Sequence, residues 1–186
     1  KYGSDPAPNS FVSSGQHSHP NYRTTTDKFL RPGDIFFCDT IQFSWNGYKS
    51  CCYRNYSVVR PPSQAAKDAA KRMVDIIYAA LSECKPGKTT ADMMKHWPER
   101  VNYPGPGAGN VMHGLGIQNY GPPVGMNPLS LEHPYPIKEG QVFAIETETG
   151  IGDGQGVRIE EMVVVTKTGY EVLTKAPLEI ITVPLR

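Results

Sequence analysis

The stretch Val111-Met112-His113-Gly114-Leu115-Gly116 sets a histidine among apolar residues and glycines, in a segment typical of a buried strand. Two later segments of the same character each carry an acid: Glu146 follows Phe143-Ala144-Ile145, and Glu160 follows Val157-Arg158-Ile159. A carboxylate inside an apolar strand is costly to bury unless a cation or a hydrogen-bonding partner offsets its charge. Two such acids and one such histidine in a short chain indicate a shared metal site.

An upstream acid has the same character. Asp39 ends the apolar run Ile35-Phe36-Phe37-Cys38 and is a candidate fourth ligand. The residues alone leave a plainer alternative open, in which Glu146 and Glu160 form salt bridges with Arg158 or a lysine. We expect Glu161 to be a solvated strand residue, because its side chain faces away from that of Glu160.

The bulk composition limits the classes of protein to consider. A chain of 186 residues can form one domain with a substantial core, and a net charge of +1 does not favour nucleic acid or an anionic membrane surface as a partner. No apolar run approaches the roughly 20 residues that cross a bilayer. The four cysteines form no CxxC pair, which favours a reduced, cytoplasmic protein.

The chain begins at Lys1 and not at a methionine, and its first residues do not have the pattern of a signal peptide. We therefore expect residues 1–186 to be a single domain that is the C-terminal part of a longer chain, with an N-terminal segment missing.

The order of predicted elements indicates an α+β domain. Strands are expected at residues 35–39 and, after a turn at Asn46-Gly47, at residues 48–59. Ser63 is the expected N-cap of a long helix with one buried stripe, and Thr89 or Thr90 caps a short second helix that ends near residue 95. Residues 105–136 are expected to be rich in loops. The later strands are predicted at residues 141–146, 157–166, 170–173 and 179–182.

These segments together resemble the pita-bread metallopeptidase family, which includes methionine aminopeptidase, Xaa-Pro aminopeptidase, prolidase and creatinase. The matching pieces keep their order and spacing over roughly residues 10–182, and they are residues 31–39, 46–56, 112–116, 140–146 and 156–170. The resemblance implies a pita-bread fold, with a mixed and largely antiparallel sheet covered by helices. It also implies that the family's N-terminal helices are lacking here.

The resemblance further implies a ligand set for divalent metal. Asp39, His113, Glu146 and Glu160 match four of the family's five ligands, and the fifth, a bridging aspartate, falls at Cys51. Two metals need anionic bridges to screen their repulsion, so the change favours a mononuclear site over two ions. Oxygen ligands favour manganese or iron, cobalt is a further candidate, and a Cys51 thiolate would shift the preference toward zinc or iron. A small buried residue is the simpler interpretation of Cys51.

Two tyrosines stand where the family's peptidases place further histidines. Tyr120 takes the place of the second histidine and Tyr22 lies at or near the place of the third, so both are candidate substrate-binding residues. The resemblance implies a hydrolase of the Xaa-Pro peptidase or creatinase type, in which a metal-bound water attacks a C–N bond of a small molecule or short peptide. Glu146 would then handle protons and Tyr120 would stabilise the oxyanion, although an ordinary packed tyrosine fits position 120 equally well.

Two alternatives stay open. Local likeness to the dimethylsulfoniopropionate lyase branch of the family implies C–S cleavage, but that branch's catalytic acid falls at Asn119 and its extra metal-binding aspartate at Ile41. A pita-bread binding module without catalytic activity is the other alternative. A homodimer is implied by the resemblance alone.

Overall fold

The computed structural model of the protein describes residues 5, 11–19, 27–39, 43–98 and 111–184, without the side chains of Asn119 and Tyr120. In this part of the chain the strands are β1 (Phe11–Ser14), β2 (Ile35–Asp39), β3 (Ser44–Trp45), β4 (Tyr48–Lys49), β5 (Tyr53–Val58), β6 (Met112–Leu115), β7 (Asn119–Gly125), β8 (Val142–Gly150), β9 (Gly156–Val165), β10 (Tyr170–Val172) and β11 (Ile181–Val183). The helices are α1 (Gln64–Leu81), α2 (Thr90–Met94) and α3 (Leu129–Glu132), and a 3-10 turn spans Gly15–His17.

Most of the described strands form two sheets. One has four strands in the order β1-β2-β5-β11, and the other has five in the order β10-β9-β8-β6-β7. Strands β3 and β4 form a separate hairpin. Only the β5–β11 pair is parallel among these described pairings. The domain is therefore α+β with a largely antiparallel arrangement, as the sequence predicts.

Helix α1 begins and packs as its sequence pattern indicates. The Ser63 hydroxyl accepts a hydrogen bond from the Ala66 N–H at 3.2 Å, which satisfies one of the first donors of the helix. The predicted stripe is buried along its whole length and contacts β8 and β9; it consists of Ala66, Ala70, Met73, Ile77, Leu81 and Cys84. Helix α2 opens with a reciprocal cap between Thr89 and Asp92.

Two predicted regions differ from the structure. The strand expected at residues 48–59 is two strands, because Tyr48 pairs with Trp45 across the Asn46-Gly47 turn, whereas the next strand starts at Tyr53, opposite Asp39. Strand β6 forms at the His113 segment, as its apolar sequence indicates, but the residues after it contain β7 and α3 where loops were expected. The sequence conceals β7 because it carries Pro122 and Pro123, which a strand accepts only at the edge of a sheet, and β7 lies at such an edge.

The register of the strands directs the candidate site residues to one place. Glu146 on β8 lies directly opposite Glu160 on β9, so both side chains leave the same face of the sheet. His113 on β6 lies opposite Ala144, two residues before Glu146, and therefore shares that face. The four-stranded sheet packs against β9 through β5, where Asn55 exchanges two hydrogen bonds with the backbone of Arg158. None of the described helices has the length and apolar character needed to cross a membrane.

Candidate metal centre

Three buried side chains of different chemistry meet between the two sheets. One ligand atom of each of Cys51, His113 and Glu160 lies within 4.8 Å of those of the other two. His113 and Glu160 have no exposed surface and Cys51 is 1% exposed. The residues come from β6, β9 and the segment that leads into β5, so the cluster exists only when both sheets are assembled.

The imidazole of His113 directs one nitrogen toward the acid. Its Nε2 lies 3.7 Å from Oε1 of Glu160, which is too long for a hydrogen bond but close enough for a strong electrostatic interaction. Its Nδ1 lies 3.5 Å from the carbonyl oxygen of Gly114. Burial lowers the pKa of His113, but the neighbouring charges of Glu160 and Glu146 outweigh that effect and leave the pKa raised.

Gly114 permits the close pairing of strands that presents His113. A Cβ at this position would lie 2.3 Å from the carbonyl oxygen of Pro122 on β7, a distance that no side chain tolerates. Because β7 approaches β6 this closely, His113 occupies a fixed position on β6 within the five-stranded sheet. The glycine beside the histidine is thus a packing requirement.

Glu160 is the residue of the cluster whose burial as a charged group costs the most free energy. It is fully buried, and neither of its carboxylate oxygens accepts a hydrogen bond from the described residues. Burial raises its pKa, and the negative charges of Glu146 and Asp39 raise it further. A carboxylate in this setting is stabilised most directly by a bound cation.

Asp39 reaches the cluster through Cys51. It is fully buried at the end of β2, and its Oδ1 lies 4.0 Å from Sγ of Cys51, the outer limit for a thiol hydrogen bond. Burial raises the pKa of the Cys51 thiol, and the charges of Glu160 and Asp39 raise it further. In this arrangement the sulfur is surrounded by acids on two sides.

Glu146 is engaged differently from the other acids. Its Oε2 accepts hydrogen bonds from Nη2 of Arg158 at 2.6 Å and from Nε at 3.1 Å, while Nη1 of the same guanidinium contacts Glu148 at 3.2 Å. The guanidinium also lies over the ring of Tyr53, with its carbon 4.3 Å from the ring centroid. The salt-bridge alternative therefore holds for Glu146, and for Glu160 the described residues offer no arginine or lysine partner.

The expectation for Glu161 is wrong. Glu161 is 1% exposed, and its Oε1 accepts a hydrogen bond from Nη2 of Arg54 at 2.9 Å. Arg54 also donates to the carbonyl oxygens of Tyr53, Glu160 and Ala176. Alternation along β9 correctly separates Glu161 from Glu160, but the opposite face is covered by β5 and the C-terminal segment, so it is a second buried layer.

The substrate-binding roles of Tyr22 and Tyr120 stay predictions. Tyr22 lies outside the described residues. Tyr120 belongs to β7 by its backbone, and its side chain is not described.

The sequence pattern gives no direct indication that Tyr53 belongs to the site, although it is buried against Arg158. A signal was available, since Tyr53 lies two residues after Cys51 and such residues share a face in an extended chain.

The donor atoms fit a divalent cation. A thiolate sulfur, an imidazole nitrogen and a carboxylate oxygen are ligands that zinc, iron and cobalt accept. The fully buried carboxylate of Glu160, with no hydrogen bond from the described residues, is the observation that favours such an ion.

Known proteins resemble the chain in both sequence and structure. The chain is 27% identical over 179 residues to a Xaa-Pro dipeptidase of Pyrococcus furiosus, covering 95% of this chain and 50% of that one. It is 24% identical over 175 residues to the dimethylsulfoniopropionate lyase DddP of Roseovarius nubinhibens, covering 90% of this chain and 39% of that one. The crystal structure of dipeptidase PepE from Mycobacterium ulcerans superposes with a TM-score of 0.79 at 25% identity, covering 98% of this chain and 49% of that one.

The chain spans about half the length of the first curated relatives it matches. Its fold is the pita-bread fold of the peptidases to which it is structurally similar. A family model described as metallopeptidase family M24 matches residues 1–167, which is most of the sequence, and the protein therefore belongs to that family.

Proposed function

We propose that the protein is a metal-dependent hydrolase that cleaves a C–N bond in a short peptide or small molecule. The observation that carries this proposal is the buried pair of His113 and Glu160, in which a carboxylate without hydrogen bonds from the described residues faces an imidazole nitrogen at 3.7 Å. These two residues would hold one divalent ion, with Asp39 and Glu146 beside them. Manganese, iron, cobalt and zinc are the candidate metals.

Each residue near the ion has an assigned part. A bound divalent ion supplies a Lewis acid that polarises a carbonyl oxygen and lowers the pKa of water. Glu146 accepts the proton of the attacking water through Oε1, because its Oε2 is occupied by Arg158. The guanidinium of Arg158 fixes the orientation of the Glu146 carboxylate, so less entropy is lost when the reacting groups are aligned. Tyr120 stabilises the oxyanion, and Tyr22 and Tyr120 contact the substrate.

The proposed substrate class is a dipeptide that ends in proline, supported by similarity to the Xaa-Pro dipeptidase of Pyrococcus furiosus. The test starts from protein stripped with a chelator and reloaded with each candidate metal. We expect the reloaded wild type to release proline from such dipeptides and His113→Ala to lose this activity. Lys167→Ala, at an exposed position, is the control and should keep it. Tight metal binding with no turnover of any dipeptide would contradict the hydrolase.

A C–S lyase is the second candidate, and the similarity to DddP favours it. In this reaction a carboxylate takes a proton from carbon, the C–S bond breaks, and the sulfide leaves as a neutral thioether. The same reloaded protein incubated with dimethylsulfoniopropionate would then release dimethyl sulfide. A stable protein that binds no metal and turns over neither substrate would instead support a binding module.

The assembly is also a proposal. We propose that residues 1–186 act as one domain within a homodimer. Light scattering after size-exclusion chromatography would give the mass of a dimer if this is correct, and the mass of one chain at working concentration if it is not.

A further inference from the structure

Cys51 has a place in the cluster that packing alone does not explain. On one side its side chain packs in a small apolar cluster with Ala144, Phe11 and Leu115. On the other side its sulfur lies within 4.8 Å of a His113 nitrogen and a Glu160 oxygen. The apolar contact accounts for one side of Cys51 only, and the position of its sulfur beside an imidazole and a carboxylate is the more informative property.

The remaining cysteines make a useful contrast. In the ranges that the structure describes, Cys51 joins a group of metal-capable side chains, and Cys38, Cys52 and Cys84 do not. Cys38 and Cys52 are half-buried, and Cys84 packs in the apolar core beneath α1. The other three cysteines can therefore serve as controls when the thiol of Cys51 is replaced.

A nucleophilic role for Cys51 does not suit the histidine. In a cysteine–histidine–acid triad the imidazole uses both nitrogens, one toward the thiol and the other toward the acid. Here Nδ1 faces the backbone carbonyl of Gly114, and Nε2 is the nitrogen that faces Glu160. The acid and the cysteine converge on a common point, which is the arrangement of ligands around an ion.

We propose that Cys51 is a thiolate ligand of the bound ion, and that it makes this centre selective for thiophilic divalent metals, zinc above all, over manganese and magnesium. The inference rests on the metal centre of the proposed function. On binding, the thiol proton passes to solvent and the sulfur lone pair forms the bond to the metal, so no oxidant or reductant takes part. Sulfur and imidazole ligands favour zinc, whereas oxygen ligands favour manganese.

Cobalt(II) is the direct probe of this ligand. Bound cobalt absorbs in the visible range through its own d–d transitions, and a thiolate bond adds a charge-transfer band in the near ultraviolet that oxygen and nitrogen ligands do not give. We expect the stripped 186-residue chain to show both signals after titration with cobalt. This measurement on the wild type needs no variant to fold.

Variants then assign the band to one sulfur. Cys51→Ser should lose the charge-transfer band while keeping visible cobalt absorption, and its zinc affinity should fall by roughly tenfold or more. Cys52→Ser, at the neighbouring position, should keep both signals. Cys51→Asp should bind cobalt without the band and gain affinity for manganese. Cys51→Ala, with far-UV circular dichroism to check folding, repeats the test if the serine variant does not fold.

The possible outcomes distinguish failure of the Cys51 ligand from failure of the metal centre itself. Visible cobalt absorption that depends on His113 but lacks a charge-transfer band would overturn the thiolate ligand and leave the metal centre intact. A band that persists in both Cys51→Ser and Cys51→Ala would also overturn it. Failure of the wild type to bind cobalt or zinc would overturn the metal centre itself.

Discussion

Among single residues, Glu160 is the acid on which the proposed metal centre depends most, because it is fully buried and its pKa is raised. Its raised pKa means that a proton is held more tightly in the folded state than in the unfolded state. The metal-free protein therefore loses stability as pH rises from the usual range of a carboxyl group through the raised value. A bound cation reverses this loss, because it interacts with the ionised form.

Replacing this single acid should separate stability from metal binding. We expect Glu160→Gln, studied without metal near pH 8, to be more stable than the wild type by about 1–3 kcal/mol, because it removes a buried charge. Addition of zinc should raise the melting temperature of the wild type and leave that of the variant unchanged. Thermal unfolding followed by circular dichroism measures both effects.

The exposed acid Glu171 provides the control, since Glu171→Gln should behave as the wild type with and without zinc. An equal zinc-dependent rise in Glu160→Gln would mean that the ion binds elsewhere.

At the scale of the element, a buried ion pair joins the two sheets. Arg54 on β5 and Glu161 on β9 are in contact at 2.9 Å with almost no exposed surface. Removing one partner of such a pair leaves an uncompensated buried charge. The pair therefore supports the approach of β5 to β9, on which the position of Cys51 relative to Glu160 depends.

Breaking this pair should be costly. We expect Glu161→Gln to lower the free energy of unfolding by about 3–5 kcal/mol, and the double change Arg54→Met with Glu161→Leu to recover part of it. The exposed i,i+4 pair of Lys71 and Asp75 is the matched control, and Asp75→Asn should cost less than about 0.5 kcal/mol. Urea unfolding measures all three, and equal effects at the two pairs would refute the assigned role.

Glu83, at the junction of α1 and α2, should make stability depend on pH in the acidic range. Hydrogen bonds from Lys88 and Lys95 lower the pKa of Glu83 to about 2. Since the folded value lies below the unfolded value of about 4.5, the stabilisation is present above the unfolded pKa and is lost as pH falls through the folded one. NMR titration of the Glu83 carboxyl carbon should show this low midpoint, and Lys95→Ala should raise it. Lys71→Ala should leave the midpoint unchanged. A midpoint near 4.5 in the wild type would show that Lys88 and Lys95 do not lower the pKa of Glu83.

Local patterns were sufficient to predict several elements. The 3.6-residue repeat gave helix α1, whose predicted stripe is buried, and the Ser63 and Thr89 caps start their helices as expected. Patterns failed where tertiary structure decides the outcome. The prolines of β7 conceal a strand that forms only because it lies at a sheet edge, and the burial of Glu161 depends on Arg54, more than 100 positions away in the chain.

In the candidate site too, local sequence predicts some features and tertiary structure decides others. The apolar surroundings of His113, Glu146 and Glu160 were enough to single them out, because burial of such groups is costly in any fold. The partner of Glu146 was named only as one alternative, since the choice between Arg158 and a metal depends on which side chain reaches it. Cys51 has an ordinary local sequence, and only the family resemblance pointed to it as a possible ligand; the assembled sheets place its sulfur near His113 and Glu160.

In the whole molecule, the candidate metal centre forms where the two sheets meet. The four-stranded sheet and the chain leading into β5 bring Asp39 and Cys51, and the five-stranded sheet brings His113, Glu146 and Glu160. A change that separates the sheets should therefore weaken metal binding without touching a ligand. Glu161→Gln provides that case, and isothermal titration with zinc should show a weaker or substoichiometric site in this variant. Unaltered zinc binding would show that the centre does not depend on this contact.

The most direct measurement is a crystal structure of the zinc-loaded chain with an anomalous difference map at the zinc absorption edge. We predict one strong peak bonded to Sγ of Cys51 at about 2.3 Å, and to a His113 nitrogen and a Glu160 oxygen at about 2.0–2.2 Å. A map from zinc-saturated crystals with no peak at these three side chains, and with Nε2 of His113 still about 3.7 Å from Oε1 of Glu160, would contradict the proposed metal centre.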